Sequence, residues 1–326
     1  KIRNDYNDFT GAVIVNDGLL DISAAADLGN TSGVTINNGG TLQLSGGINV
    51  TRPLTLNGNG TSSLGALHFL SGNNTYSGAI TLGSNASITS TAGDQTISGS
   101  VNGTYELSVS SAGTWIQSGE LGGSTPLTNY SLNAGVNNVT LSGGHQVAGP
   151  ISVYGGDITL SGNITSTLSG ADLLLKASGN ITTSASKNIT TNNGDIVFWS
   201  DSDSNGSGNI IIGDSNTFNT INGNTDNELS GGGNIILSGG LDNGDNGGLT
   251  SDGYPDGYAS SSSNFGLSIG TTNSSNTKFY SGGGDIFLRG YSSSTSTNQN
   301  GIWQYGYFLA NSGIGSILID GKSSKH

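Results

Sequence analysis

The chemistry available to this chain concentrates in one acidic stretch. Residues 201–256 hold Asp201, Asp203, Asp214, Asp226, Glu228, Asp242, Asp245, Asp252 and Asp256, and no Lys or Arg occurs between Lys187 and Lys278. Carboxylates without nearby cations either stay solvated or share a divalent ion. Asp201-Ser202-Asp203-Ser204-Asn205-Gly206 reproduces the first half of a calcium loop, with oxygen ligands at alternating positions and then a turn glycine. Asp201, Asp203 and Asn205 are therefore candidate calcium ligands. Ile212 stands at the twelfth position, where a bidentate acid would complete the set, so a solvated polar turn is the competing reading. Asp242-Asn243-Gly244-Asp245-Asn246-Gly247 is a looser version of the same pattern.

Catalytic sets are harder to assemble. The absence of Cys excludes thiol nucleophiles, thiolate metal sites and disulfides. Ser is abundant, yet no Gly-x-Ser-x-Gly elbow with plausible partners stands out. His68 and His145 have no neighbouring acid in sequence, and His326 is terminal. Polysaccharide cleavage needs clustered carboxylates with a His, or an Arg or Lys base beside carboxylate-bound calcium. Asn224-Thr225-Asp226 matches one tripeptide of polygalacturonase-type sites, but the Asp-Asp, Gly-His-Gly and Arg-Ile-Lys partners are missing. The residues therefore favour a chain that is not an enzyme, with a glycan-active lyase or hydrolase as the alternative.

Recognition is the remaining chemistry. Tyr254 and Tyr258 flank Pro255 in a loop over 241–263, and Trp303-Gln304-Tyr305-Gly306-Tyr307-Phe308 forms a second aromatic cluster. Loop aromatics stack on sugars or anchor protein partners. Tyr254, Tyr258, Trp303, Tyr305 and Tyr307 are thus candidate partner-binding residues. A cap over an open end, or packing inside a wider coil, is the competing reading of 303–308. Trp115 and Trp199 read as coil packing. An ice-binding surface would need sustained Thr-x-Thr ranks, which this sequence lacks.

The elements that carry these residues are short strands. Apolar residues recur in pairs at i and i+2, flanked by Gly or Asn: Val34/Ile36, Leu54/Leu56, Ile80/Leu82, Val139/Leu141, Ile158/Leu160, Ile196/Phe198, Ile235/Leu237, Ile286/Leu288 and others. Period-two alternation buries one strand face and wets the other. Two apolar residues per strand suit a narrow solenoid better than a sandwich. Between 158 and 198 every third strand recurs after 23, 25 and 23 residues: Ile158 to Ile181, Ile164 to Ile189, Leu173 to Ile196. The expected fold is an all-β, right-handed parallel β-helix with three short strands per coil, on the order of 11–13 coils at roughly 24 residues each. Its corners are a recurring Gly-Asp/Asn-Ile, as at 156–158, 179–181, 194–196, 208–210, 233–235 and 284–286. Glycine there tolerates positive φ, and the Asp or Asn side chain can bond nearby backbone.

The reading is one solenoid over 1–326, with regular, spacer-like coils over 1–200. Over 201–326 the strand spacing widens, and the extra residues must leave as acidic and aromatic loops, where binding function usually resides. Composition agrees: 32% hydrophobic and 10% charged residues cannot build a thick core. A net charge of −13 repels nucleic acid and anionic membranes. No apolar run is long enough to span a membrane. The absence of Met, position 1 included, points to a processed or excised segment.

Asn73-Asn74-Thr75-Tyr76-Ser77-Gly78-Ala79-Ile80-Thr81-Leu82 resembles the autotransporter-associated β-strand repeat, and Asn4-Asp5-Tyr6-Asn7-Asp8-Phe9-Thr10-Gly11-Ala12-Val13 is a weaker echo. From about 155 onward the Gly-Asp/Asn-Ile strands are similar to filamentous-haemagglutinin-type adhesin repeats. The resemblance implies a secreted solenoid at a Gram-negative bacterial surface, serving as stalk or display surface of a larger polypeptide. Its partners would be a protein or glycan on another cell, or copies of itself in a fibre or surface layer. No secretion domain or outer-membrane barrel is recognisable in this segment.

Overall fold

The computed structural model describes residues 7–221, 231–243, 252–294 and 300–324. The chain divides into two compact units, Lys1–Ala148 and Gly149–His326. Each is a parallel β-solenoid, and the change in strand spacing near residue 200 falls inside the second unit.

In the second unit three strands make one coil. Ile151–Gly155, Ile158–Leu160 and Ile164–Ser169 are followed by Leu173–Ala177, Ile181–Thr183 and Asn188–Asn192, each pairing in parallel with its predecessor. Ile158 lies opposite Ile181, Ile164 opposite Ile189 and Leu173 opposite Ile196, the registers expected from the recurrence. A first wall continues through Ile196–Ser200, Ile235–Gly239, Ile286–Ser292 and Ile317–Ser323. A second runs through Ile210–Ile212, Leu267–Ile269 and Ile302–Gln304. A third runs through Thr217–Asn219, Asn276–Tyr280 and Tyr307–Asn311. Parallel stacking sets like on like, so the interior fills with ranks of one residue type. Ile158, Leu160, Ile181, Ile189, Ile196 and Phe198 are all fully buried. Phe218 stacks on Phe279 with ring centroids 5.0 Å apart, and Phe198 meets Phe218 edge-on at 5.3 Å.

The corner motif does more than turn the chain. Asp172 Oδ1 accepts from the Asp195 amide at 2.8 Å, Asp195 Oδ1 from Asn234 at 2.6 Å, and Asn234 Oδ1 from Asp285 at 2.8 Å. Asp285 Oδ1 accepts from Ser316 at 2.6 Å. A parallel ladder at the next corner joins Asp157 to Asn180 and Asn180 to Asn209. Each side chain thus satisfies a backbone N–H one coil further on, where a turn would otherwise leave a donor unpaired. Only a short side chain with an acceptor oxygen spans that gap, which is why Asp and Asn interchange there.

The first unit has the same plan. One wall comprises Val13–Val15, Val34–Ile36, Leu54–Gly58, the start of Ile80–Ser90, and Val101–Asn102. A second comprises Gly18–Ile22, Gly40–Ser45, Leu67–Ser71, the end of Ile80–Ser90, Glu106–Ser111 and Asn129–Asn133. A third comprises Asn49–Val50, Thr75–Tyr76, Gln95–Ile97, Trp115–Gln117 and Val139–Leu141. The Asn73–Tyr76 motif stitches three coils together. Asn73 Oδ1 accepts from the Asp94 amide of the following coil at 2.9 Å. Asn74 Oδ1 accepts from Gly47 and Ile48 of the preceding one at 3.1 and 3.0 Å. Tyr76 is buried and its hydroxyl donates to the Arg52 carbonyl at 2.8 Å. Trp115 packs inside the coil against Phe69, as expected.

One face departs from the alternating plan. Leu174, Val197, Ile236 and Phe287 lie in register on the outward side of the second unit's first wall. Trp199 belongs to this outer surface rather than to the coil interior, forming a buried cluster with Val197 and Ile236. The uninterrupted runs Leu173-Leu174-Leu175, Ile196-Val197-Phe198-Trp199, Ile235-Ile236-Leu237 and Ile286-Phe287-Leu288 encode it, since continuous apolar strands are buried on both faces.

Candidate functional site

Register locates the loops of the second unit. Ile196, Ile235 and Ile286 stay opposite one another, and so do Ile210, Leu267 and Ile302. The residues between these two walls vary from coil to coil: 201–209, then 240–266, then 293–301. The chain between these two walls is lengthened in three successive coils, and in the longest span Ala259–Ser261 rejoins the first wall, pairing in parallel with Gly290–Ser292.

The longest insertion folds back over the outer apolar face. Tyr254, Leu174 and Phe287 pack against Val197, Trp199 and Ile236. Trp199 Nε1 donates to the Gly240 carbonyl at 2.7 Å, and Lys176 Nζ lies 3.4 Å from the Trp199 ring centre. The Tyr254 hydroxyl donates to Asp195, a rung of the corner ladder. Burial first, then the Asp195 bond and charge, raises the Tyr254 pKa above its ordinary value and keeps this hydroxyl a donor. Asp242 accepts from the Asp252 and Gly253 amides at 3.1 and 3.0 Å, and Asp256 Oδ2 from the Asn243 amide at 2.8 Å. Acids of the long loop therefore work as backbone acceptors. Tyr254 is half-buried and serves chiefly to seat it.

Asp201 and Tyr258, flagged for different chemistries, line one cleft of about 250 Å³ together with Ser204, Asn243, Ser260 and Tyr291. Asp201 is buried, and its Oδ1 accepts from the Gly206 amide at 3.1 Å. Its pKa is raised, chiefly by burial, with a contribution from the Asp203 charge. Asp203 Oδ2 accepts from Asn205 Nδ2 at 2.8 Å, and Asn205 Oδ1 from the Ser207 amide at 2.9 Å. The three candidate calcium ligands are thus tied into nested turns of their own loop. No group of three or more acidic or His side chains is placed to hold a metal among the described residues. Tyr258 donates to Asp320 Oδ2 at 2.5 Å, and Lys322 Nζ lies 4.3 Å from its ring. What the cleft offers is a mixed rim of hydroxyl, amide and aromatic groups over a carboxylate.

The C-terminal aromatics separate. Trp303 faces outward on the second wall, stacked on Phe265 at 5.0 Å and edge-on to Tyr305 at 5.9 Å. Phe308 meets Phe279 edge-on at 6.2 Å, while Tyr307 is 79% exposed. Only Tyr307 stands free. Phe265 was not singled out by sequence, although its place in a Ser/Asn-rich loop was the available signal.

Neither described His has an acidic partner. His68 Nδ1 lies 2.7 Å from Thr89 Oγ1, and the buried His145 donates from Nδ1 to the Gly143 carbonyl at 2.8 Å. Asp226, Glu228, Asp245, His326, the tripeptide 224–226 and residues 4–6 of the weaker repeat echo lie outside the described residues. No helix of the described residues is long and apolar enough to cross a membrane. No family model, curated protein or solved structure matches the chain.

Proposed function

We propose that this chain is a secreted structural and adhesive β-solenoid, part of a larger cell-surface adhesin or fibre protein of the autotransporter or filamentous-haemagglutinin kind. The observation that carries the reading is the loop-bearing corner of the second unit. Three successive coils keep their first and second walls in register while the chain between those walls lengthens. A stiff parallel scaffold with loops along one edge is a display surface, since loops held by a rigid frame can present binding groups at little ordering cost. The partner is a protein or glycan on another cell, or a further copy of the chain, and no catalytic step is required. An acidic chain of net charge −13 with walls of Ser, Thr and Asn fits an exposed extracellular position.

The test is adhesion under flow. Beads coated with the chain are passed over cell- and glycan-coated surfaces, beside beads coated with albumin. Tyr291→Ser with Tyr307→Ser should lower retention while leaving the circular dichroism spectrum unchanged. Retention at the albumin level for the wild-type chain, or release of reducing sugar from a polysaccharide surface, would overturn the proposal.

A further inference from the structure

The first unit carries a groove that the spacer reading of its coils did not anticipate. It is a shallow, open depression of about 820 Å³ lined by Asn37, Asn38, Asn57, Gly58, Ser84, Asn85 and Tyr105. These residues come from successive coils at the corner between the first and second walls. Among the described residues no charged side chain lines it. Acids flank it: Glu106 is bonded to Asn85 at 3.0 Å, and Asp17 lies against Gly39 beside Asn38.

The carboxamides are held in a particular way. Asn37 Nδ2 donates to Asn16 Oδ1 at 2.8 Å, and Asn57 Nδ2 to the Ile36 carbonyl at 2.8 Å. Each amide is thereby anchored by its nitrogen, which leaves its oxygen without a partner among the described residues. Asn38 and the Tyr105 hydroxyl also have none there. Glycines open the space before these groups. A Cβ on Gly58 would lie 2.2 Å from Asn38 Oδ1, and one on Gly83 would lie 2.5 Å from Asn57 Oδ1. Gly58 also has φ +75, so its conformation and the groove both require glycine.

We infer that this groove binds an uncharged oligosaccharide laid across the coils. A pyranose hydroxyl is donor and acceptor at once, and fixed amide oxygens beside a free amide and a free phenol meet both needs. The Tyr105 ring, 38% exposed, gives a sugar's C–H face an aromatic surface at the end of the row. Corners repeat at about 4.8 Å, the spacing of stacked strands, which is close to the advance of one ring in an extended saccharide. A peptide fits less well. The wall strands that lead into this corner are already paired from coil to coil, so among the described residues they offer no open sheet edge to an added strand. Flanking acids disfavour uronates and other anions. This site is independent of the loop-bearing corner of the second unit, so failure here leaves the adhesion test above untouched.

The experiment is titration calorimetry of the full chain with cellohexaose, laminarihexaose and maltohexaose. Hexagalacturonate serves as the anionic probe and a Ser/Gly hexapeptide as the peptide probe. At least one neutral hexasaccharide should bind, more tightly than its trisaccharide. Tyr105→Ala should weaken binding about tenfold, the loss of one ring contact. Asn38→Ala, at an exposed position, and Gly83→Ala, whose methyl group would displace the Asn57 amide, should also weaken it, with unchanged circular dichroism. Absence of binding by all three neutral sugars overturns the inference. So does wild-type affinity in Tyr105→Ala and Asn38→Ala, or tighter binding of hexagalacturonate or the peptide.

Discussion

Acid should loosen the first unit through one residue. His145 continues an inward rank after Val101 and Leu121, and is buried. Its Nδ1–H is satisfied by the Gly143 carbonyl, but Nε2 has no partner among the described residues. The Tyr130 and His145 rings lie 5.9 Å apart. A proton on Nε2 would place a charge in this dry interior, and burial lowers the His145 pKa from 6.5 to about 4. Because the folded-state value is depressed, the neutral ring's stability is fully present above the unfolded pKa. It is lost as pH falls from there towards the folded value. Linkage between those two values gives a loss of about 2 kcal/mol from pH 7 to pH 5. His145→Leu, a residue of the same rank, cannot titrate. Urea unfolding followed by fluorescence and circular dichroism at both pH values, for both proteins, isolates the effect from that of the carboxylates. The variant should lose about 2 kcal/mol less than the wild type. Equal losses in the two proteins would refute burial of a neutral imidazole.

Three further outcomes are expected. Ile181→Asp sets a carboxylate between Ile158 and Ile210 and should cost several kcal/mol in urea melts, where a loss under 1 kcal/mol would contradict the buried rank. Asp195→Ala strands the Asn234 amide and the Tyr254 hydroxyl and should lower stability by about 1–3 kcal/mol, whereas Asp195→Asn keeps the ladder acceptor and should cost less; equal losses would deny the ladder its role. Calcium calorimetry should give at most millimolar affinity at Asp201, Asp203 and Asn205, abolished by Asp203→Ala, because the bidentate acid is missing and the oxygens already hold their own loop. Micromolar binding would show that the loop rearranges around the ion.

The sequence alone was enough to determine the coil. Ile158, Ile164 and Leu173 recur as Ile181, Ile189 and Ile196, and parallel stacking permits only one register that keeps every such residue inside. The corner glycines and their Asp or Asn followers were legible as a motif, but not the reason for the glycine: Gly194, Gly233 and Gly284 do not take positive φ, and an added Cβ would instead lie 2.1–2.3 Å from backbone of the neighbouring coil. Even the outer apolar face was written in the runs through Leu174, Val197, Ile236 and Phe287, although period-two alternation drew attention to their neighbours. Tertiary structure decided everything that joins one coil to another by side chains. The Asp172–Asp195–Asn234–Asp285 ladder, the seat of Tyr254, the meeting of Asp201 with Tyr258, and the amide groove from Asn37 to Tyr105 all link residues on different coils. Wall register constrains the strands but not the length of what leaves a corner. The sequence separation between touching residues therefore changes from coil to coil, and no fixed spacing along the chain could announce which side chains would meet.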